Sequence, residues 1–155
     1  RLNAERHAVI DRLDLLEGDL LAPLEGHPAG QQLHYLVANP PYIPDEEWDS
    51  TDPAKAVGPN VKGFEPELAL RGGPDGLRFV RPLIEHAPAR LRPGGLMMIE
   101  VASSTAGRVL DLARTHPHLE DERIVNDLEG LPRVLLARRS LTAQSAHRQS
   151  ADRAP

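Results

Sequence analysis

The chain of 155 residues contains no cysteine. Disulfides, thiolate catalysis and cysteine-ligated zinc are therefore excluded. No apolar run approaches the roughly 18 residues of a membrane span and no signal-peptide pattern opens the chain, so a cytoplasmic location is the default expectation. No Lys/Arg cluster forms a long stripe before the C-terminal end, and the formal net charge is −5. An obligate nucleic-acid groove and direct nucleic-acid binding are not expected of such a surface. The seven histidines show no metal-ligand spacing, so no metal is assigned. What remains is an ordinary composition, 40% hydrophobic and 26% charged. Its length suits about one domain with a real core. The chain opens on Arg1 rather than Met, and its first residues read as the end of a helix, so a preceding segment is expected.

The most informative stretch is Asn39-Pro40-Pro41-Tyr42. It follows the apolar run Leu33-His34-Tyr35-Leu36-Val37-Ala38, which is short enough for a buried strand. Two prolines then remove two backbone donors and fix φ near −65°. A stiff corner at the strand's carboxyl end results, with carbonyls that lack a ladder partner. That arrangement suits the capture of a planar NH₂ group. One N–H can go to the Asn39 side-chain oxygen and one to the Pro40 carbonyl, while the Tyr42 ring packs on the flat face. The plainer alternative is a strand terminator beside a core tyrosine.

Periodicity places further elements around this corner. Residues 2–9 read as the last turns of a helix, and 13–17 as a strand ending at Gly18-Asp19. Residues 20–32 carry Pro23, Gly26, Pro28 and Gly30 and predict a loop. Residues 43–73 form a long Pro/Gly-rich connection of the kind that serves as a lid or binding loop. Trp48, Phe64, Glu65 and Glu67-Leu68-Ala69-Leu70 argue that it packs. Asp75 is placed to cap a helix over 76–91, kinked by Pro82 and Pro88. Arg92-Pro93-Gly94-Gly95 predicts a tight turn into Leu96–Val101, a strand buried on both faces. Ser103 or Ser104 would cap a helix over 105–115. Strands at 120–126 and 133–138 suit a hairpin through Gly130 and Pro132. From Arg139 onward the composition predicts a disordered tail. The pattern is an α/β sandwich with a mostly parallel sheet. Ligands in such sheets sit at the carboxyl ends of strands, where Asp19, Asn39 and Glu100 fall.

Several segments together resemble a known family. Gly18-Asp19-Leu20-Leu21, Asn39-Pro40-Pro41-Tyr42-Ile43-Pro44, Phe64-Glu65-Pro66 with Ala69-Leu70, and Gly72-Gly73 with Asp75-Gly76-Leu77 are similar to the protein-(glutamine-N5) methyltransferases that modify peptide chain release factors, often called the HemK or PrmC group. Arg92-Pro93-Gly94-Gly95 with Glu100 also fits. The match runs from Asn3 to about Arg138. Asn-Pro-Pro-Tyr alone is shared with enzymes that methylate amino groups of DNA and RNA; the other segments are more specific.

The resemblance implies a class I, Rossmann-like methyltransferase sandwich with a C-terminal antiparallel hairpin and strand order 3-2-1-4-5-7-6. It implies S-adenosylmethionine as cofactor, a release factor as protein partner, and the glutamine of a Gly-Gly-Gln motif as target. Carried over by position, Asp19 and Leu20 would lie beside the adenine and Asn39 would touch cofactor and substrate. Asn39, Pro40 and Tyr42 would be the catalytic clamp, with Pro41 completing the substrate site. Gly18-Asp19 also has a reading as a simple turn, Glu65-Pro66 as a loop corner, and Glu100 as a structural hydrogen-bond partner.

The chain departs from the family after Glu100, where Val101-Ala102-Ser103-Ser104 stands in place of the usual Gly and Gln. Nothing matches the glycine-rich loop or the ribose-binding acid of strands one and two. Residues 1–138 are thus expected to form a partial catalytic domain, poorly stable and inactive alone, and 139–155 the tail. The competing functions are a nucleic-acid amino-methyltransferase and a non-enzymatic remnant.

Overall fold

The computed structural model describes residues 1–53 and 56–141. In chain order the regular elements are α1 (Leu2–Arg6), β1 (Leu33–Ala38), α2 (Asp45–Trp48), α3 (Pro59–Phe64), α4 (Val80–Arg90), β2 (Leu91–Glu100), α5 (Ala106–Arg114), β3 (Leu119–Asn126) and β4 (Pro132–Arg139). Single 3₁₀ turns occupy Ile10–Arg12, Ala22–Leu24 and Glu67–Ala69.

The four strands form one sheet in the order β1-β2-β4-β3. β1 runs parallel to β2, whereas β2–β4 and β3–β4 are antiparallel. This is the 4-5-7-6 part of the order implied by the resemblance, including its terminal hairpin. The parallel character expected of the sheet is represented here by the β1–β2 pair. The hairpin is closed by Asp127, whose Oδ1 accepts from the backbone N–H of Glu129 and of Leu131, both at 3.0 Å.

Alternation along β2 buries Met97 and Ile99 on one face, which α4 and α5 cover with Val80, Leu83, Ile84, Ala87, Val109 and Ala113. β4 adds Leu135 and Ala137 to the same face. The opposite face is not buried as the apolar run predicts. Leu96 and Met98 are half-buried there, and their β1 neighbours Tyr35 and Val37 are exposed. Among the described residues no layer of helices covers that side.

Other expectations are corrected by local chemistry. Residues 13–17 form no strand, and Leu13, Leu15 and Leu16 are exposed; a lone extended segment has no ladder to join. Asp75 does not cap a helix at 76. Its Oδ1 accepts from the Leu77 N–H at 3.0 Å across Gly76, which holds a left-handed φ of 72°, and α4 starts only at Val80. Pro82 consequently falls in the first turn, where its missing N–H costs no helical bond. Pro88 sits two residues before the helix ends at Arg90, so one helix persists.

Residues 92–95 do not precede β2 but bulge within it, between the Leu33–Leu91 and Tyr35–Leu96 pairs. Neither serine caps α5. Thr105 is its N-cap residue, Ser103 donates to the Pro132 carbonyl at 2.8 Å, and Ser104 bonds Glu47. β4 extends through Arg139 and Ser140 is buried, so order runs slightly past the expected boundary. The rest of the expected tail, from residue 142, lies outside the described residues. Among the described residues no helix is long and apolar enough to cross a membrane.

Candidate active site

Pairing between β1 and β2 stops at Ala38 opposite Ile99, so the next residues on the two strands are Asn39 and Glu100. The Pro40-Pro41 corner turns the chain over this end of the sheet. Pro40 is buried and Asn39 exposed. Neither the Asn39 carboxamide nor the Pro40 carbonyl has a hydrogen-bond partner among the described residues. Two potential acceptors on consecutive residues are therefore left without a partner among the described residues.

Tyr42 folds back toward the sheet and its hydroxyl donates to Glu100 Oε1 at 2.7 Å. Burial pushes the phenol up to about 12, the Glu100 bond and charge add to that, and nearby Arg133 opposes it. At neutral pH Tyr42 is consequently a neutral ring, fixed in orientation, and no base. Glu100 thus fills the role of a structural hydrogen-bond partner. Arg133 is held from behind by Asp127 Oδ2, at 3.2 Å from Nε and 3.1 Å from Nη2. The hairpin turn is in this way linked to Tyr42 through Arg133. Arg133 was not singled out by sequence reading; its signal, a charged residue at the first turn of an apolar strand, carries no meaning until β4 is paired with β2.

The chain after Tyr42 is pinned by a short parallel bridge between Ile43 and Arg71. The Ile43 N–H donates to the Leu70 carbonyl at 2.9 Å and the Gly72 N–H to the Ile43 carbonyl at 2.8 Å. Backbones approach so closely that a Cβ on Gly72 would lie 2.8 Å from Tyr42 main-chain atoms, and one on Gly76 2.7 Å from the Tyr42 carbonyl oxygen. The Gly-Gly-x-Asp-Gly-Leu segment thus cradles the Tyr42 backbone, while its Pro74 and Asp75 line the larger groove. Arg71 fastens the same region through Asp45 at 2.9 Å and Asp49 at 3.2 Å. Trp48 packs beneath Lys62 and Arg71 at 5.5 and 6.0 Å from its ring centre, so this part of the connection packs as expected. Phe64 and Leu68, expected to pack, instead stand exposed.

Two grooves meet at this corner. The larger, about 1180 Å³, is lined by Asn39, Pro40, Tyr42, Glu46, Glu47, Glu65, Asp75, Arg108 and Arg133, among others. The smaller, about 430 Å³, is walled by Leu20, Leu21, Leu33, Leu36 and Leu83 and shares Asn39 and Pro40 with the first. Leu20 lies on it with a left-handed φ of 46°. Asp19 is exposed beside it and does not end a strand. No group of three or more His, Cys, Asp or Glu able to hold a metal occurs among the described residues.

No protein-family model matches the chain. Curated relatives do. It is 42% identical over 137 residues to a release factor glutamine methyltransferase of Moorella thermoacetica, covering 88% of this chain and 44% of that protein. It is 38% identical over 138 residues to one from Synechocystis, covering 89% and 44% respectively. The chain thus spans less than half the length of these relatives. A solved protein-(glutamine-N5) methyltransferase (release factor-specific) from Alicyclobacillus acidocaldarius matches with a TM-score of 0.46 and 26% identity, over 76% of this chain and 55% of that one.

Proposed function

This chain belongs to the release factor glutamine methyltransferase family, and we propose that the protein moves a methyl group from S-adenosylmethionine onto the side-chain amide nitrogen of a glutamine in the Gly-Gly-Gln loop of a peptide chain release factor. The observation that carries this reading is the pair of open acceptors, Asn39 and Pro40, at the junction of the two grooves. The larger groove, at about 1180 Å³, has the volume to take a polypeptide loop. The smaller offers an apolar wall for the flat purine of the cofactor, with Leu20 on it and Asp19 at its margin. S-adenosylmethionine, when bound, supplies a strongly electrophilic methyl group.

An amide nitrogen is a poor nucleophile because its lone pair is delocalised into the carbonyl, so positioning matters most. The Asn39 oxygen and the Pro40 carbonyl accept the two N–H bonds and aim the nitrogen at the smaller groove. They also favour the positive charge that develops on it. Tyr42, held neutral by burial and Glu100, covers the amide plane without withdrawing a proton, which passes to solvent once the C–N bond has formed and the donor's C–S bond has broken. The carboxylates lining the larger groove disfavour a nucleic-acid substrate, whose phosphates they would repel.

Replacing Asn39 by Ala in the full-length enzyme should lower kcat by about 10²–10³-fold, far more than it weakens cofactor binding. Methyl transfer to a purified release factor, followed by mass spectrometry, measures this. Unchanged turnover would refute the clamp.

A further inference from the structure

The segment Pro59–Ala69 is exposed almost throughout, and Phe64 and Leu68 are 87% and 90% exposed. Two large apolar side chains displayed this fully in one segment beside a groove are a mark of protein contact. They alternate with residues of the groove itself, since Glu65, Ala69 and Leu70 line it. The ridge is therefore continuous with the groove mouth. A ligand confined to the groove would leave this ridge untouched.

Charge identifies the occupant. The groove is lined by the carboxylates of Glu46, Glu47, Glu65 and Asp75 against the guanidinium groups of Arg108 and Arg133. Both guanidinium groups are already engaged, Arg108 with the Asp75 carbonyl at 3.1 Å and Arg133 with Asp127. The Glu46 and Glu65 carboxylates are exposed and have no partner among the described residues. Among the described residues the mouth therefore presents unneutralised negative charge beside an apolar ridge, a complement to a cationic polypeptide and a deterrent to nucleic acid.

Resting on the reading that the groove takes a glutamine-bearing loop, we infer that Phe64 and Leu68 form a docking ridge for a substrate loop carrying positive charge beside its target glutamine, and that Glu46 and Glu65 recognise that charge. The ridge supplies contact area, and the carboxylates supply selectivity and faster encounter at low salt.

The test uses the full-length protein and two fluorescent peptides of equal length centred on Gly-Gly-Gln, one flanked by Arg and the other by Glu. In anisotropy titrations at low salt the Arg-flanked peptide should bind about tenfold or more tightly than the other, a preference that shrinks as salt rises. A Phe64→Ser/Leu68→Ser double variant should weaken both peptides by about tenfold. A Glu46→Gln/Glu65→Gln variant should erase the preference between them. All four side chains are exposed, so these variants are expected to melt as wild type does. Equal binding of the two peptides, indifference to the substitutions, no binding of either, or tighter binding of single-stranded RNA would each overturn the inference. Methyl transfer to an intact release factor is scored separately. Its absence with the Arg preference intact would refute the activity alone, and transfer without any preference would refute the docking ridge alone.

Discussion

Tyr42 shows how a residue can be fixed by its charge state. Burial, and then the Glu100 carboxylate, hold the phenol up to about 12 against an ordinary 10.0. Because the folded value is raised, the protonated form is the one the fold favours. That contribution to stability is complete below pH 10 and is lost as pH rises through about 12. The difference spectrum between wild type and Tyr42→Phe should therefore show little phenolate at pH 10, where an ordinary phenol is half ionised. Glu100→Gln should bring the phenolate signal to lower pH, and a half-ionised Tyr42 at pH 10 would contradict the geometry. The Asn39-Pro40-Pro41-Tyr42 corner was legible in the sequence because the effect of two prolines after an apolar run is local. Arg133 and Asp127 were not, because their role exists only once a hairpin closes and β4 lies against β2.

Among the elements, those defined by alternation or by turn residues were the readable ones. β1, α5 and the β3–β4 hairpin lie within a residue or two of their expected limits. Two of the misreadings share a cause, which is that a residue had two local uses and the tertiary context chose. Asp75 could cap a helix or close an Asx turn, and the left-handed Gly76 selected the turn. Gly94, with a φ of 75°, let residues 92–95 bulge inside a strand instead of preceding it. The cradle beneath Tyr42 gives a direct contrast between glycines. Gly76→Ala, at a φ of 72° and 2.7 Å from the Tyr42 carbonyl oxygen, should cost about 1–3 kcal/mol. Gly107→Ala in α5, where nothing lies within 4 Å, should instead stabilise by about 0.5–1 kcal/mol. Urea midpoints of the two variants of the full-length protein measure both, and effects of the same sign would refute the assignment.

Over the whole molecule, the sheet has two unlike borders. β3 forms one, and it is blunted by Glu120, Glu122 and Arg123 and by a register shift around Asp121, whose φ is 58°. Such charges and irregularities protect natural outer strands. β1 forms the other, regular from Tyr35 to Ala38, with Tyr35 63% and Val37 73% exposed. It has the make-up of an interior strand. The sheet order was readable only through the family resemblance, since a single sequence shows which strands exist but not who pairs with whom. With the β1 border unpaired and no glycine-rich loop in the sequence, the 155-residue chain by itself should show no saturable S-adenosylmethionine binding and only a broad, weakly cooperative melt. Isothermal titration and calorimetry decide this, and a tight stoichiometric isotherm would refute it.

That border also sets how the isolated chain behaves in a crowded tube. Each copy offers a straight row of vacant amide and carbonyl groups edged with greasy side chains, and each can accept another copy there. Nothing in the geometry forces such additions to close into a ring or a pair. Its shelf life would then be a question of concentration, lengthened by any soluble strand that occupies the row first.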